Sequence, residues 1–383
     1  MKIPAPKTKE KLQEFIKQNI AEGKTVVPCG FGTRTGETGV PVLTKELNKV
    51  LFFRPEDMVI GLEAGITVAE LSKVLAEKGM FVPFEPEWHE TTLGSLICMN
   101  DKGPRACFSG GIRDFIIGLE YIDDEGEFVK AGGKVVKNVT GYDLMKMVTG
   151  SRGIFGALTG VNLRLVPVPA GTTLVGIEFG NINAALEVLN KLNLSGLPFD
   201  GYAMEINSKT VLAEILITGN DPRRKTIEAA IKAFNSELAE PGTWKKKKGD
   251  LIPEVPGGFL ETFLTKHGLE RKHVIGKFLM PTSTFSEFRP APPEKDTFLL
   301  CHPIGATVYL ISKAEDEFTK KAETEKIVKA LDNKSDCFYV PYQSDGFGPS
   351  EKTIPRVAPH AGIYNMLKNS LDKEKTYHNP FVS

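Results

Sequence analysis

A glycine-rich segment near the N-terminus carries the strongest chemical signal in the sequence. Residues 25–36 read TVVPCGFGTRTG, an apolar run that leads into Gly30, Gly32 and Gly36. Glycine permits positive φ angles and has no Cβ, so such a loop can point successive backbone N–H groups at phosphate oxygens. The segment alone is equally compatible with a tight structural turn.

The loop differs from the dinucleotide-binding fingerprint G-x-G-x-x-G. That fingerprint would need a glycine where the chain has Thr35, and the following GETGVPVL is a poor start for a helix. The favourable helix dipole on which that fingerprint relies is therefore missing. A phosphate site here would depend on backbone groups and hydroxyls of the loop itself.

Two further clusters combine glycines with small hydroxyl residues. They are TTLGS at residues 91–95 and GSRGIFGALT at residues 150–159, and the second follows KNVTGYD at residues 137–143. Each cluster alone is compatible with ordinary turn chemistry. Three such loops at the ends of short predicted strands within 170 residues favour one large, flat ligand that contacts all of them.

The order of these motifs resembles the flavin-binding domain of the PCMH-type (vanillyl-alcohol oxidase) superfamily. The similarity also includes LEAGITVAEL at residues 62–71. Within the superfamily, KNVTGYDLMKMVTGSRGIFGALTGVNLRLVP is similar to the FAD-binding E subunits of bacterial glycolate oxidases. The resemblance to the family covers residues 1–170 with several motifs in the right order. Over the C-terminal half the resemblance depends on LCHPIG at residues 300–305 and on residues 371–380.

The resemblance implies an FAD that is bound noncovalently. Some members attach the flavin through a histidine in the first glycine loop, but this chain has Thr33 and Arg34 there. The FAD-binding residues implied by the resemblance are Gly30, Phe31, Gly32, Thr33, Arg34, Thr35, Thr92, Gly94, Ser95, Lys137, Asn138, Tyr142, Asp143, Gly156 and Leu158.

Some of these assignments have a structural alternative. Asn138 and Asp143 could equally brace a turn, and Lys137 could be a solvated charge at the rim of the site. Arg34 could pair with the diphosphate, or it could face solvent or an acidic neighbour.

The implied chemistry is the oxidation of a 2-hydroxy acid. It needs a base for the hydroxyl proton, a cation for the carboxylate and a flavin that accepts hydride. Related catalytic subunits carry an H-x-G-D-G-N-x-H motif that supplies a base and a metal site, and this sequence lacks that motif. No metal site is predicted. His302, on a predicted strand of the C-terminal half, is the best remaining catalytic candidate, and the alternative is a structural histidine.

The resemblance therefore implies an FAD-binding subunit of a glycolate- or lactate-type 2-hydroxy-acid oxidase (dehydrogenase) complex. The five cysteines of the chain contain no C-x-x-C pair for a cluster, so the resemblance implies that electrons pass to a separate iron–sulfur subunit or to an acceptor such as a quinone. A second flavin subunit would be the main catalytic chain. Two alternatives are a self-sufficient FAD-linked dehydrogenase and a non-catalytic assembly subunit with a vestigial flavin site.

The elements that would position these loops predict an α+β fold. Helices are predicted over residues 12–20 and 68–78, and a Pro- and Gly-rich break at residues 166–171 predicts a domain boundary. By resemblance, residues 1–170 form a two-subdomain PCMH-type FAD-binding domain. Residues 171–383 are predicted to form a smaller α+β cap with two ferredoxin-like β-α-β-β-α halves in one sheet. The lysine-rich segment 244–257 is predicted to be a solvated loop.

Charge balance and hydrophobic content exclude several other classes of protein. The 48 Lys and Arg balance the 48 Asp and Glu, which argues against a nucleic-acid-coating protein. The 41% of hydrophobic residues excludes a disordered chain. The longest uncharged stretch, residues 297–312, contains a proline and a glycine and falls short of the roughly 20 apolar residues of a membrane helix. With no secretion signal at the N-terminus, we expect a cytoplasmic protein, or one held at the inner face of the membrane by its partners.

Overall fold

The protein is a mixed α/β structure with two large antiparallel sheets, of five and eight strands. The computed structural model describes residues 3–31, 39–88, 90–100, 103, 105–134, 144–247, 259–280, 288–302, 307–314, 322 and 338–341, without the side chains of residues 107, 246–247 and 338–341. No helix within these ranges is long and apolar enough to cross a membrane.

The N-terminal part consists of short strands and helices, and the helices predicted over residues 12–20 and 68–78 are confirmed. Thr8 and Thr67 cap them, and Thr67 forms a full capping box with Glu70. In chain order the elements are α1 (Lys9–Ala21), β1 (Val26–Cys29), β2 (Val40–Leu43), β3 (Val50–Arg54), β4 (Val59–Glu63), α2 (Val68–Ala76), β5 (Met80–Phe81), α3 (Leu93–Met99), α4 (Ala106–Ser109), the 3-10 turn Ile112–Asp114, β6 (Ile116–Ile122), β7 (Phe128–Gly132), α5 (Leu144–Val148), β8 (Ala157–Arg164) and β9 (Val166–Pro167).

The five-stranded sheet has the order β3-β4-β8-β6-β7. Its central strands β4, β8 and β6 are almost wholly buried, and their side chains form one core with those of α2 and α3. Strands β1 and β2 form a separate parallel pair that packs with α1 over Ile122 and Ala157. The residues that lead out of β1 are thereby held beside the main sheet.

The C-terminal part is built on the eight-stranded sheet. One face packs against α6 and α7 in a large apolar core, and α8 contributes to a second cluster with Leu300 and Ile311. In chain order its elements are β10 (Thr172–Phe179), α6 (Ile182–Ser195), β11 (Gly201–Ile206), β12 (Val211–Thr218), α7 (Asp221–Ser236), β13 (Thr243–Lys247), α8 (Phe259–Lys266), the 3-10 turn Arg271–His273, β14 (Val274–Leu279), β15 (Thr297–His302), β16 (Thr307–Ser312) and β17 (Phe338–Pro341).

The order of this sheet, β13-β10-β12-β11-β15-β16-β14-β17, confirms the two predicted halves. The first half, β13-β10-β12-β11, has the ferredoxin-like arrangement in which the fourth strand lies beside the first and the third beside the second. The second half, β15-β16-β14-β17, repeats that arrangement in reverse, and β11 pairs with β15 to join the halves. The sequence pattern of the second half predicts helices over residues 283–288 and 317–331, and both ranges lie largely outside the described residues.

The prediction of a solvated loop that begins at residue 244 is wrong for its first residues. Residues 243–247 form β13, which pairs with β10 from Leu174↔Lys247 to Glu178↔Thr243. Lysines suit this position because a strand at the margin of a sheet is protected from further pairing by its charges. Lys245 pairs with Glu178 at 2.5 Å, and Lys232 lies 5.0 Å from the ring centroid of Trp244. Apolar periodicity does not reveal such an edge strand.

The break predicted at residues 166–171 contains one short strand. β9 (Val166–Pro167) pairs with β5 through Met80↔Pro167 and Phe81↔Val166. A proline fits here because the pairing is only two residues long. The division into domains at residue 170 stays a prediction, although the two large sheets do lie on either side of that position.

Candidate functional site

The first glycine loop begins in direct contact with the start of α3. A Cβ built on Gly30 would lie 2.5 Å from Thr92 Oγ1, so only glycine permits this approach while Thr92 keeps its rotamer. The loop and the TTLGS cluster, two segments predicted to hold one ligand, are therefore adjacent. Cys29 precedes the loop, and burial raises the pKa of its thiol to about 11, so it adds no negative charge there at neutral pH.

The TTLGS cluster, residues 91–95, contains the N-terminus of α3 and is not an isolated turn. Thr92 is the N-cap, with φ −70° and ψ 153°, and its Oγ1 accepts a hydrogen bond of 3.2 Å from the Ser95 backbone N–H. Thr92 itself is only 1% exposed. The hydroxyl that approaches Gly30 thus already has one structural partner.

Gly94 lies against the end of β4. Its backbone N–H donates to the Ala64 carbonyl at 2.7 Å, and an added Cβ would lie 3.1 Å from the same oxygen. Thr67, the cap of α2, forms an isolated antiparallel bridge with Thr92. The starts of α2 and α3 are therefore held together at one edge of the five-stranded sheet.

Gly156 and Leu158 come from the third predicted cluster and have clear structural roles. A Cβ on Gly156, which has φ +153°, would lie 2.4 Å from the Ile122 carbonyl oxygen. Leu158 is 4% exposed, contributes its side chain to the core, and pairs with Tyr121 on β6. A contact of either residue with FAD would use backbone groups and stays a prediction.

Phe31 is the last described residue of the first loop. Its side chain is 40% exposed, unusually high for a phenylalanine, and the Lys45 ammonium lies 5.3 Å from its ring centroid. An apolar ring and a cation therefore lie together where the loop begins. The other predicted FAD-binding residues, Gly32, Thr33, Arg34, Thr35, Lys137, Asn138, Tyr142 and Asp143, lie outside the described residues.

His302, the predicted catalytic residue, is in the C-terminal part and belongs to none of these contacts. It ends β15, is 4% exposed, and packs edge-on against Phe259 at 5.0 Å and Tyr309 at 6.0 Å between ring centroids. Neither ring nitrogen has a hydrogen-bond partner among the described residues. Burial first, and then the Lys277 charge, lower the pKa of His302 to about 3, so the ring is neutral at physiological pH.

Three polar side chains that sequence reasoning missed form a buried cluster beside His302. The Lys277 ammonium lies 2.6 Å from Glu87 Oε1, and the Tyr309 hydroxyl donates to the same oxygen at 2.9 Å. The side chains of Lys277 and Glu87 are 10% and 2% exposed. One signal was available, because a lysine within the apolar strand VIGKFL predicts a buried charge with a partner.

The cluster joins the two parts of the chain. Glu87 belongs to the segment just before α3, whereas Lys277, Tyr309 and His302 belong to β14, β16 and β15. The same segment is fixed by a hydrogen bond of 3.0 Å from the Phe259 backbone N–H to the Pro86 carbonyl. The polar cluster is therefore anchored five residues before the cap of α3.

The glycine loop and the start of α3 suit a dinucleotide cofactor. The approach at Gly30 leaves no room for a Cβ, the Thr92 hydroxyl is buried beside it, and Lys45 supplies a cation. A diphosphate would meet backbone groups and a positive charge here, in a site of neutral thiol and hydroxyl groups. The residues present therefore fit FAD.

Comparison with known proteins agrees with this assignment. The profile of a family described as "FAD binding domain" matches residues 3–132. Glycolate oxidase subunit GlcE of Escherichia coli is 26% identical over 255 residues, 64% of this chain and 70% of that protein. Glycolate oxidase subunit GlcD of Bacillus subtilis is 29% identical over 197 residues, 50% of this chain and 42% of that protein.

Two further likenesses extend the comparison. D-lactate dehydrogenase of Archaeoglobus fulgidus is 28% identical over 217 residues, so this chain again covers only 49% of its relative. A solved structure of alkyldihydroxyacetonephosphate synthase matches 98% of this chain and 75% of that chain, with a TM-score of 0.69 and 15% identity, which shows the fold. Residues 3–132 of this chain therefore match an FAD-binding domain, and this match together with the relatives supports FAD as the cofactor.

Proposed function

We propose that this protein is an FAD-binding subunit of a glycolate- or lactate-type 2-hydroxy-acid oxidoreductase. The observation that carries the proposal is the contact of Gly30 with the Thr92 cap, within a segment that matches an FAD-binding domain. Relatives named as glycolate oxidase subunits and D-lactate dehydrogenases support the substrate class. When bound, FAD supplies the acceptor for hydride from the hydroxy acid.

The residues proposed to hold FAD divide into three groups. The loop from Gly30 to Thr35 would bind the diphosphate through backbone N–H groups and hydroxyls, with Arg34 as a cation for it. Thr92, Gly94 and Ser95 would hold the diphosphate and the flavin edge. The third group consists of Lys137, Asn138, Tyr142, Asp143, Gly156 and Leu158.

The proposal assigns electron transfer to partner chains. Electrons from this subunit would pass to a separate iron–sulfur subunit or to an acceptor such as a quinone, and a second flavin subunit would contribute the main catalytic site. The likeness to two differently named subunits of glycolate oxidase supports a multi-subunit complex.

The test is a visible absorbance spectrum of the purified chain after incubation with FAD and removal of free cofactor. The spectrum is recorded anaerobically before and after addition of glycolate or D-lactate. A bound-flavin spectrum that bleaches shows that the chain oxidises the acid by itself. Bleaching only after the partner chains are added supports the subunit role, and a chain that retains no FAD refutes the proposal.

A further inference from the structure

A cavity lies where the two parts of the chain meet, at the end of β8. Its volume is about 310 Å³, at the lower end of the range of roughly 300–1,000 Å³ that small-molecule sites occupy. The apolar part of its wall includes Phe81, Pro83, Phe115, Val166 and Pro169. The C-terminal part contributes Asp200 and Thr218. A ligand in this cavity would therefore contact both parts of the chain.

Arg164, the last residue of β8, lines the cavity and is held in place by two contacts. Its Nε donates to the Asp114 carbonyl oxygen at 2.8 Å, and its Cζ lies 4.6 Å from the ring centroid of Phe115. Neither terminal nitrogen of the guanidinium has a hydrogen-bond or ion-pair partner among the described residues. A guanidinium fixed in this way can bind a carboxylate through two parallel N–H···O bonds at little further entropic cost.

The other charged side chains of the cavity are compensated by neighbours. Arg105 lies 3.1 Å from Glu85, and the two side chains are 11% and 16% exposed. Asp200 accepts hydrogen bonds from a backbone N–H at 2.6 Å and from Arg223 Nη1 at 3.2 Å. The described residues therefore leave one positive charge without a counter-charge, that of Arg164. A ligand with a single negative charge complements it.

The size and the walls of the cavity indicate the rest of the ligand. A water molecule occupies roughly 30 Å³ of the liquid, so a space of about 310 Å³ accommodates on the order of ten non-hydrogen atoms. The Phe115 ring and the proline rings offer apolar surface for a hydrocarbon body. The hydroxyls of Ser109 and Thr218 also line the cavity and can donate to carboxylate oxygens.

The cavity lies away from the residues predicted to bind FAD. Leu158 is near one end of β8 and Arg164 is at the other end. At roughly 3.3 Å per residue along a strand, the two are separated by about 20 Å. Occupation of the cavity is therefore independent of whether FAD is bound.

We propose that this cavity binds a monocarboxylic acid with an apolar body of about eight carbon atoms, and that Arg164 pairs with its carboxylate. The inference goes beyond the proposed function, because the acid bound here is not the one that is oxidised. Since the cavity takes one wall from the end of β8 and another from β12, the bound acid links the two parts of the chain.

The test compares three ligands of the same length that differ in charge. The full chain is loaded with FAD, and binding of octanoate, octanol and octylamine is measured by isothermal titration calorimetry. We expect octanoate to bind at least tenfold more tightly than either of the others. In Arg164→Gln the preference for octanoate over octanol should fall to about one. Ser109→Glu keeps Arg164 but places a carboxylate in the cavity, and we expect it to lose the preference as well.

Arg54→Gln is the matched control. Arg54 pairs across β3 and β4 with Val59, which pairs in turn with Arg164, and its Cζ lies 5.7 Å from the ring centroid of Phe52. It does not line the cavity, so this variant should keep the preference for octanoate. Retention of the flavin spectrum and the urea midpoint of unfolding show which variants are folded.

The inference is overturned if the FAD-loaded wild-type chain does not prefer octanoate. It is also overturned if either cavity variant folds and keeps the preference, or if Arg54→Gln loses it. These results leave the proposed function intact, whereas a wild-type chain that retains no FAD refutes the function and not the cavity.

Discussion

Protonation of His302 should make this protein lose stability in mild acid. The ring is neutral and buried when the protein is folded, because burial and the nearby Lys277 charge lower its pKa from 6.5 to about 3, although the Glu87 charge acts in the opposite direction. In the unfolded chain the same ring has its ordinary pKa. Between these two values the unfolded chain binds more protons than the folded chain, so the free energy of unfolding falls as the pH falls.

The size of the effect follows from the two pKa values. Each pKa unit corresponds to about 1.4 kcal/mol, so a shift from 6.5 to about 3 is worth roughly 5 kcal/mol at most. The full stability is present above pH 6.5, the pKa of this histidine in the unfolded chain, and it is lost progressively as the pH falls from there towards the folded-state pKa of about 3. Between pH 7.5 and pH 5, His302 should remove about 2 kcal/mol from the free energy of unfolding.

The assay compares urea unfolding of the wild-type chain with that of His302→Leu at half-unit steps of pH. Other groups titrate in both proteins, so the difference between the two curves isolates His302. We expect the free energy of unfolding of His302→Leu, relative to that of the wild-type chain, to rise by about 2 kcal/mol as the pH falls from 7.5 to 5. A difference that does not change with pH would show that the ring is not buried and neutral, and would refute the reasoning.

Two further predictions concern the glycine loop and the buried ion pair. Gly30→Ala should displace the Thr92 cap, lower the stability by about 1 kcal/mol and weaken FAD binding at least tenfold, as measured by fluorescence titration. Gly180→Ala is the control and should bind FAD normally, because an added Cβ there meets no atom within 4 Å. Glu87→Gln or Lys277→Met alone should cost about 3–5 kcal/mol in urea unfolding, and the double variant should cost less than the sum of the two. Additive costs would show that the two side chains do not interact.

The sequence predicts regular elements well where apolar periodicity and caps agree. The strands and helices of the first ferredoxin-like half, from β10 to α7, were predictable for this reason. The recurrence of the pattern in the second half predicted one larger sheet made of two halves, which the strand order confirms. The start of α3 was not predictable in this way. TTLGS combines residues typical of turns, and its helix shows only when Thr92 is recognised as an N-cap followed by LGSLICM.

The buried cluster could be predicted only in part. A lysine within an apolar strand indicates a buried partner, but the partner Glu87 lies 190 residues away in the sequence. Local patterns carry no information on a pairing between two parts of the chain. The role of His302 was likewise a hypothesis from its strand position, and its unpaired state depends on the side chains that surround it.

The predicted FAD-binding residues differ in whether protein packing alone explains their residue type. Gly156 is required by the backbone of Ile122, and Leu158 fills the core, so both residue types would be kept in a chain that had lost its flavin. Gly30 is different, because the atoms nearest to its missing Cβ belong to the Thr92 side chain, which can rotate at the cost of one cap hydrogen bond. Packing therefore explains glycine at position 156 fully and at position 30 only in part. A vestigial flavin site would tolerate alanine at position 30 with a small loss of stability, whereas a working site would lose FAD, so this one substitution separates the two functions.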